Sequence, residues 1–175
     1  MKKYSDSLVM GAEAEKSFTN TCRKNGIKIS KSNKIDDSRN HIDFHFLLDE
    51  KRFSCDVKAM KKINRWDTRT VVDRIWIEYK NVRGDLGWLY GKADYICFEE
   101  PESFFCIRRS ELIKFCDDHV NQSQYSPYKE PYKLYSREKY GRDDLCTIIL
   151  REDLLSYLIS NYEHKIGGTF FFLNK

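Results

Sequence analysis

The chain has 175 residues, of which 41% are hydrophobic and 33% are charged. The length fits a single domain covering residues 1–175, and the apolar content excludes a disordered chain because it is sufficient to fill a core. No stretch contains the roughly 18 consecutive apolar residues that a membrane-spanning helix needs, so the sequence predicts a cytoplasmic protein without a membrane partner.

The formal net charge of +4 is too small by itself to establish a polyanionic partner. The distribution of charge is more informative, because basic residues gather in three stretches that contain or adjoin aromatic residues. The stretches are residues 58–74, 108–109 and 137–142, and the aromatic residues are Trp66, Tyr135 and Tyr140. This mixture suits phosphate contacts and base stacking, and it is equally compatible with an ordinary solvated surface.

Six cysteines occur singly, without any Cys-x-x-Cys pair. They are Cys22, Cys55, Cys97, Cys106, Cys116 and Cys146. Several lie in apolar runs, where cysteine packs as a small hydrophobic residue. We therefore predict reduced thiols rather than a zinc site or a disulfide framework.

Residues 5–24 are predicted to form a helix, because apolar and small residues recur at helical spacing and Asn25-Gly26 is a helix-stop signal. Glu15 falls in the middle of this stripe, between Ala12 and Phe18. A carboxylate on the side of a helix that faces a core needs a cation or a hydrogen-bond donor beside it.

Residues 41–48 alternate between apolar and polar side chains, and so do residues 52–60. Residues 49–51 between them are typical of a hairpin turn, so the two segments predict adjacent antiparallel strands. Asp43 lies on the first strand, and Asp56 and Lys58 share the polar face of the second.

The remaining elements alternate between strands and helices. Strands are predicted over residues 74–80, 93–98 and 104–107, helices over residues 110–118 and 153–162, an exposed loop over residues 120–131, β structure over residues 132–150 and an apolar tail over residues 170–173. Residues 30–40 are polar without a regular pattern, and residues 61–73 are compatible with a loop or a helix. Together these elements predict an α/β (α+β) fold with a central mixed sheet flanked by helices.

Asp43, Asp56 and Lys58 are expected to converge on this hairpin. Two carboxylates suit Mg²⁺, which takes hard oxygen ligands and keeps water or phosphate oxygens in its remaining positions. A lysine beside them can orient or activate the attacking water, or offset charge on a scissile phosphate as the transition state forms.

A helix bearing Glu15, then Asp43, then Asp56-Val57-Lys58 resembles the PD-(D/E)XK nuclease superfamily, and in particular its phage-type members. The resemblance spans about residues 11–98 and implies a restriction-endonuclease-like core in the order α-β-β-β-α-β. It also implies that Asp43, Asp56 and Glu15 bind the metal ion, while Lys58 assists the nucleophile. Mg²⁺ would be the cofactor, and Mn²⁺ would substitute for it.

The site departs from the superfamily pattern in one respect, because Ile42 stands before Asp43 where the name-giving motif has proline. His41 and His45 share a face with Asp43 and offer a histidine-based alternative. Zinc usually takes three or four soft or imidazole ligands, so His45 is the weaker candidate for substrate or metal contact. Asp94 is expected to cap or hydrogen-bond its connecting segment rather than act in catalysis.

A second acid-x-lysine motif is present at residues 78–80. Its use as the catalytic motif would make Asp56 the first acid and would abolish the hairpin geometry, so we favour Asp56 and Lys58. Glu78 and Lys80 are expected to be accessory ligands or DNA-contacting residues.

These residues predict a Mg²⁺-dependent deoxyribonuclease that hydrolyses phosphodiester bonds in DNA by metal-activated water. Its partner would be nucleic acid, a homodimer would match relatives that pair two sites, and a phage-encoded chain would act in the host-cell cytoplasm. The alternatives are a nucleic-acid-binding module without catalysis and a nuclease directed at RNA.

Overall fold

The computed structural model describes residues 5–63, 67–136, 141 and 143–175, with the backbone alone described at residues 5 and 6. Four α-helices and ten strands are found in these residues. The helices are α1 (Ser5–Lys24), α2 (Lys34–Asn40), α3 (Arg109–His119) and α4 (Arg151–Asn161). The strands are β1 (Lys28–Lys31), β2 (Phe44–Leu48), β3 (Lys51–Lys58), β4 (Arg74–Lys80), β5 (Tyr95–Glu99), β6 (Ser103–Arg108), β7 (Asn121–Tyr125), β8 (Lys133–Ser136), β9 (Leu145–Leu150) and β10 (Phe170–Asn174).

The chain divides into two compact units, each with its own sheet. Unit 1 consists of Met1–Met60, Lys92–Arg109 and Tyr162–Lys175, and unit 2 consists of Lys61–Gly91 and Ser110–Asn161. The sheet of unit 1 has the strand order β1-β2-β3-β5-β6-β10, and the sheet of unit 2 has the order β4-β9-β8-β7. Both sheets mix parallel and antiparallel pairs, which confirms the mixed α/β (α+β) class. A single domain over residues 1–175 stays a prediction.

Helix α1 begins and ends where the sequence predicts. Ala14, Phe18 and Cys22 recur every four residues and are almost fully buried, so they form the stripe that packs on the sheet of unit 1. The helix stops because Gly26 has a φ of 72°, in the left-handed region, and the N–H of Ile27 donates to the carbonyl of Cys22 at 2.8 Å.

The hairpin of β2 and β3 is the second element that the sequence predicts correctly. Asp49 and Glu50 at its tip have φ values of 47° and 63°, as a two-residue turn with mirror-image twist requires. Strand β3 is an inner strand, antiparallel to β2 on one side and parallel to β5 on the other. Side chains on both faces of β3 are therefore enclosed, and residues 54–57 are all buried.

Several predicted boundaries and assignments differ from the observed ones. The strand predicted over residues 41–48 starts only at Phe44, and the loop predicted over residues 120–131 contains the exposed strand β7. Two elements were not predicted, namely β1 and α2, which lie in or next to the polar stretch of residues 30–40. Four residues are too few to display a clear alternation, and α2 has no buried residue to mark its period.

The other elements confirm their predictions within a few residues. This holds for β4, β5, β6, α3 and α4, and for β8 and β9 within residues 132–150, while the apolar tail predicted over residues 170–173 forms strand β10. All six cysteines are unbridged, and five of them are buried. Trp66 and Tyr140, which the sequence singles out for base stacking, lie outside the described residues.

Candidate functional site

Asp43 lies immediately before β2, at the point where that strand leaves the ladder with β3. Its own N–H donates to the carbonyl of Cys55 at 2.8 Å, and its Oδ2 accepts from the N–H of Val57 at 2.7 Å. The Asp43 side chain thus accepts a hydrogen bond from a backbone N–H of β3 that lies beyond the start of β2. This pair of bonds fixes the carboxylate beside the inner strand.

Asp56 and Lys58 project from β3 on the face that also carries Ser54, opposite the face that α1 covers. Residues two apart on a strand share a face, and the Nζ of Lys58 lies 2.6 Å from Oδ1 of Asp56. The Asp56 side chain is 3% exposed and that of Lys58 is 19% exposed. A carboxylate this buried requires a partner of opposite charge, and the ammonium of Lys58 provides it.

Asp43 and Asp56 lie close enough to perturb one another. Burial, followed by the charge of Asp56, raises the pKa of Asp43 to about 7, and the Val57 N–H and the Lys58 ammonium oppose this rise. The two carboxylates repel each other when both are ionised, so a positive charge close to both of them would be stabilised.

The donor set of this pair fits a divalent cation such as Mg²⁺. Both ligands are hard carboxylate oxygens, and a cation between them would remove the repulsion that raises the pKa of Asp43. Among the described residues there is no group of three or more His, Cys, Asp or Glu side chains placed to hold a metal ion. Two protein carboxylates would therefore share the ion with water and substrate oxygens, which is the usual arrangement for Mg²⁺.

Glu15 lies on α1 and forms an ion pair with Lys31, the last residue of β1. The side chains of Glu15 and Lys31 are 28% and 55% exposed, so this pair is far more hydrated than that of Asp56 and Lys58. Since the described chain has no three-carboxylate group, Glu15 is not gathered with Asp43 and Asp56. Its place as a metal ligand stays a prediction.

His45 lies on β2 directly opposite Ser54 of β3. Desolvation, with the charge of Arg52, lowers the pKa of His45, so its imidazole is mostly neutral at neutral pH. Asp94 accepts hydrogen bonds from the N–H and the hydroxyl of Ser54 at 2.7 and 2.8 Å. Asp94 thus joins the segment before β5 to β3, which is the structural use predicted for it, while a substrate contact of His45 stays a prediction.

Glu78 and Lys80 lie on β4 in unit 2, and the register of β4 against β9 shifts between them, so they need not share a face as the sequence predicts. Glu78 is half-buried opposite Cys146, and Lys80 is exposed opposite Leu145. Their accessory role stays a prediction. Asp43, Asp56 and Lys58, in contrast, all belong to unit 1 and are joined by neighbouring strands.

Lys31 is the residue near the site that the sequence reasoning missed. The signal was present, because the apolar residues Ile27 and Ile29 alternate with polar residues as in a strand. The run is shorter than a typical strand. Lys31 lies directly opposite Phe44, the residue after Asp43. The backbone N–H of Ser32, the next residue, donates to the carbonyl of Asp43 at 2.9 Å.

Comparison of the chain with protein-family models, with curated proteins and with solved structures finds no match in any of the three. In the described part of the chain, no helix has both the length and the apolar character needed to cross a membrane.

Proposed function

We propose that this chain is a metal-dependent nuclease of the PD-(D/E)XK type that hydrolyses phosphodiester bonds in DNA. The observation that carries the proposal is the meeting of three ionisable side chains on one hairpin. Asp43 and Asp56 perturb each other electrostatically, and Lys58 lies 2.6 Å from Asp56. Charged groups gathered at this depth are more typical of a functional site than of a stabilising one.

The order of elements in unit 1 supports the same proposal. Helix α1 precedes three antiparallel strands, β1, β2 and β3, and β3 then pairs in parallel with β5. A restriction-endonuclease-like core begins with the same order of one helix and three strands, without the short helix α2 that here lies between β1 and β2. It also has an α-helix before the fourth strand, whereas the described residues between β3 and β5 contain only β4 and a 3-10 turn at Trp88–Tyr90. The proposal therefore rests on the first half of the core.

The roles of the residues follow from their positions. Asp43 and Asp56 would hold Mg²⁺, with Mn²⁺ as a substitute, and the resemblance alone adds Glu15 as a further ligand. When bound, the ion would favour ionisation of a water and offset charge on the phosphate. Asp56 orients the ammonium of Lys58, and that ammonium would donate to a phosphate oxygen or to the attacking water.

Cleavage by matched variants tests the proposal. Asp56→Asn and Lys58→Met each remove one charge with little change in volume, and we expect each to lower the cleavage rate at least roughly 100-fold. Asp49→Asn and Lys51→Met are the controls, because they make the same changes at exposed positions of the same hairpin. Substrates are supercoiled, linear, branched and single-stranded DNA and RNA, each with Mg²⁺, with Mn²⁺ and with a chelator.

Each result of this assay points to one function. Cleavage of DNA that requires the metal and is lost only in the two site variants supports the proposal. Equal rates for the parent and Asp56→Asn would contradict the site, and a faster reaction on RNA would assign an RNA-directed nuclease. Salt-dependent binding without cleavage by the parent would instead assign a nucleic-acid-binding module.

A further inference from the structure

Two half-buried aromatic rings lie side by side on one face of the sheet of unit 2. Trp76 of β4 lies opposite Ile148 of β9, and Tyr135 of β8 lies opposite Cys146 of the same strand. Residues 146 and 148 share a face, so Trp76 and Tyr135 share it as well. Their ring centroids are 6.4 Å apart, with an angle of 69° between the ring planes. We call these two residues the aromatic pair.

The opposite face of the same sheet belongs to the core of unit 2. Ile75, Ile77, Leu134 and Ile149 alternate with the residues of the first face, and each is at most 7% exposed. The sheet therefore buries one face completely and leaves large aromatic rings partly exposed on the other. Aromatic side chains in this position are typical of binding surfaces, because they offer a large contact area at a low cost in conformational entropy.

A lysine places positive charge beside both rings. The Nζ of Lys129 lies 5.3 Å from the ring centroid of Trp76 and 5.9 Å from that of Tyr135, and it donates to the carbonyl of Ile63. Tyr128, the residue before this lysine, is 73% exposed. The segment that carries Lys129 thus adds a cation and a third aromatic ring to the surroundings of the aromatic pair.

Two further cations lie on the face of the aromatic pair. Arg74 and Lys133 each stand two residues before one of the rings on the same strand. Their acidic neighbours are Asp73, 3.9 Å from Arg74, and Glu130, 2.5 Å from Lys133, while Glu78 is half-buried two residues beyond Trp76. The side chains of both ion pairs are at least 36% exposed, and pairs of this kind exchange at little cost for phosphate, which adds the gain from counterion release.

From this arrangement we infer that the aromatic pair and its three cations form a binding surface for single-stranded nucleic acid. The rings stack on unpaired bases, which a duplex keeps within its own stack, and Lys129, Arg74 and Lys133 contact the phosphates. Every base has a π face, so this surface binds single strands with little sequence preference. The inference goes beyond the proposed cleavage, since it concerns binding by unit 2 and does not require the site on β2 and β3.

Binding in the presence of a chelator tests this surface without cleavage. Fluorescence anisotropy measures the affinity of the full chain for labelled single strands and duplexes of about 12 nucleotides. We expect the parent to bind the single strand more tightly than the duplex, and Trp76→Leu and Tyr135→Leu each to weaken single-strand binding roughly tenfold. Tyr90→Leu is the matched control, because Tyr90 is a 36% exposed tyrosine of unit 2 whose ring neighbour is Tyr79.

Conservative variants separate stacking from a structural role of the rings. Trp76→Phe and Tyr135→Phe keep a π face and should retain most of the single-strand affinity. Lys129→Met should lower the slope of log affinity against log salt by about 0.7, because one phosphate contact is lost. Lys114→Met should leave the slope unchanged, since Lys114 is an exposed lysine of α3 paired with Glu111.

Photo-crosslinking to a single strand that contains 5-iodouracil locates the contact in the parent itself, whether or not the leucine variants fold. We expect the crosslinked peptides to contain Trp76 or Tyr135. Crosslinks confined to unit 1 would overturn the inference. Single-strand affinities that are the same in Trp76→Leu, Tyr135→Leu and Tyr90→Leu would do so as well, and so would equal binding of single strand and duplex by the parent.

The outcome for this surface is distinct from the outcome for the proposed nuclease. Any of the three contrary results, combined with metal-dependent cleavage by the parent, leaves the nuclease proposal intact. The expected binding and crosslinks without cleavage by the parent would support the surface on unit 2 and remove the catalytic proposal. Absence of binding to every strand and of cleavage would overturn both.

Discussion

Two acid–lysine pairs in unit 1 are chemically alike and physically different. Lys58 and Asp56 lie on one inner strand, and their side chains are 19% and 3% exposed. Lys31 and Glu15 join an edge strand to a helix, and their side chains are 55% and 28% exposed. The buried pair is costly to separate, because each charge has lost its water. The exposed pair exchanges partners at little cost. The buried pair therefore keeps one geometry, and the exposed pair exchanges its partners readily.

The largest expected difference between the pairs is in stability. Lys58→Met leaves Asp56 buried beside Asp43 without its ammonium, and we expect the free energy of unfolding to fall by about 3 kcal/mol at pH 8. Lys31→Met should lower it by less than about 1 kcal/mol. Urea denaturation of both variants measures this contrast, and equal losses would show that burial does not distinguish the two pairs.

A second prediction concerns the pH dependence of stability that Asp43, beside the buried pair, causes. The unfolded Asp43 carboxyl ionises near its ordinary pKa, while the folded carboxyl keeps its proton until its pKa of about 7. The folded state therefore binds more protons between about pH 4 and pH 7, and the stability of the parent falls as the pH rises through this window. Asp43→Asn removes this loss, because the amide carries no charge and its oxygen can still accept from Val57.

We expect Asp43→Asn to be more stable than the parent by about 2 kcal/mol at pH 8, with the difference vanishing below about pH 4. Thermal unfolding between pH 4 and pH 8 measures it. Mg²⁺ should stabilise the parent at pH 8 and leave Asp43→Asn largely unchanged, because the ion would offset the repulsion between two ionised carboxylates and the amide variant has only one of them. Parallel pH profiles for the two proteins would contradict the raised pKa.

The contrast between the pairs also explains how much the sequence could predict. Alternation on both sides of a turn over residues 49–51 identifies the β2–β3 hairpin, so the sequence alone places Asp56 and Lys58 on one face. Helical spacing and Asn25-Gly26 locate α1, and with it Glu15. These signals come from residues close together in sequence, and the structure contains the helix and the hairpin that they predict.

The unpredicted features depend on contacts distant in sequence. The Lys31–Glu15 pair joins residues 16 positions apart, and the strand that carries Lys31 has only four residues. Asp43 was placed within a strand, whereas its side chain replaces a ladder bond just before β2 begins. The raised pKa of Asp43 follows first from burial, and the alternation around Asp43 does not specify how deeply its carboxyl is buried. Periodicity assigns a residue to a face but does not specify its charged partners.

The smallest expected effect isolates the exposed pair. Glu15→Gln keeps the length and polarity of the side chain but ends the ion pair, so the free energy of unfolding should fall by less than about 1 kcal/mol at low salt. The loss should disappear at about 1 M NaCl, because salt screens exposed charges. Glu13→Gln, at an exposed position of the same helix, controls for the change of one negative charge on α1. A loss in Glu15→Gln that persisted at high salt would show that Glu15 is held by more than an exposed ion pair, and the contrast between the two pairs would then not rest on hydration alone.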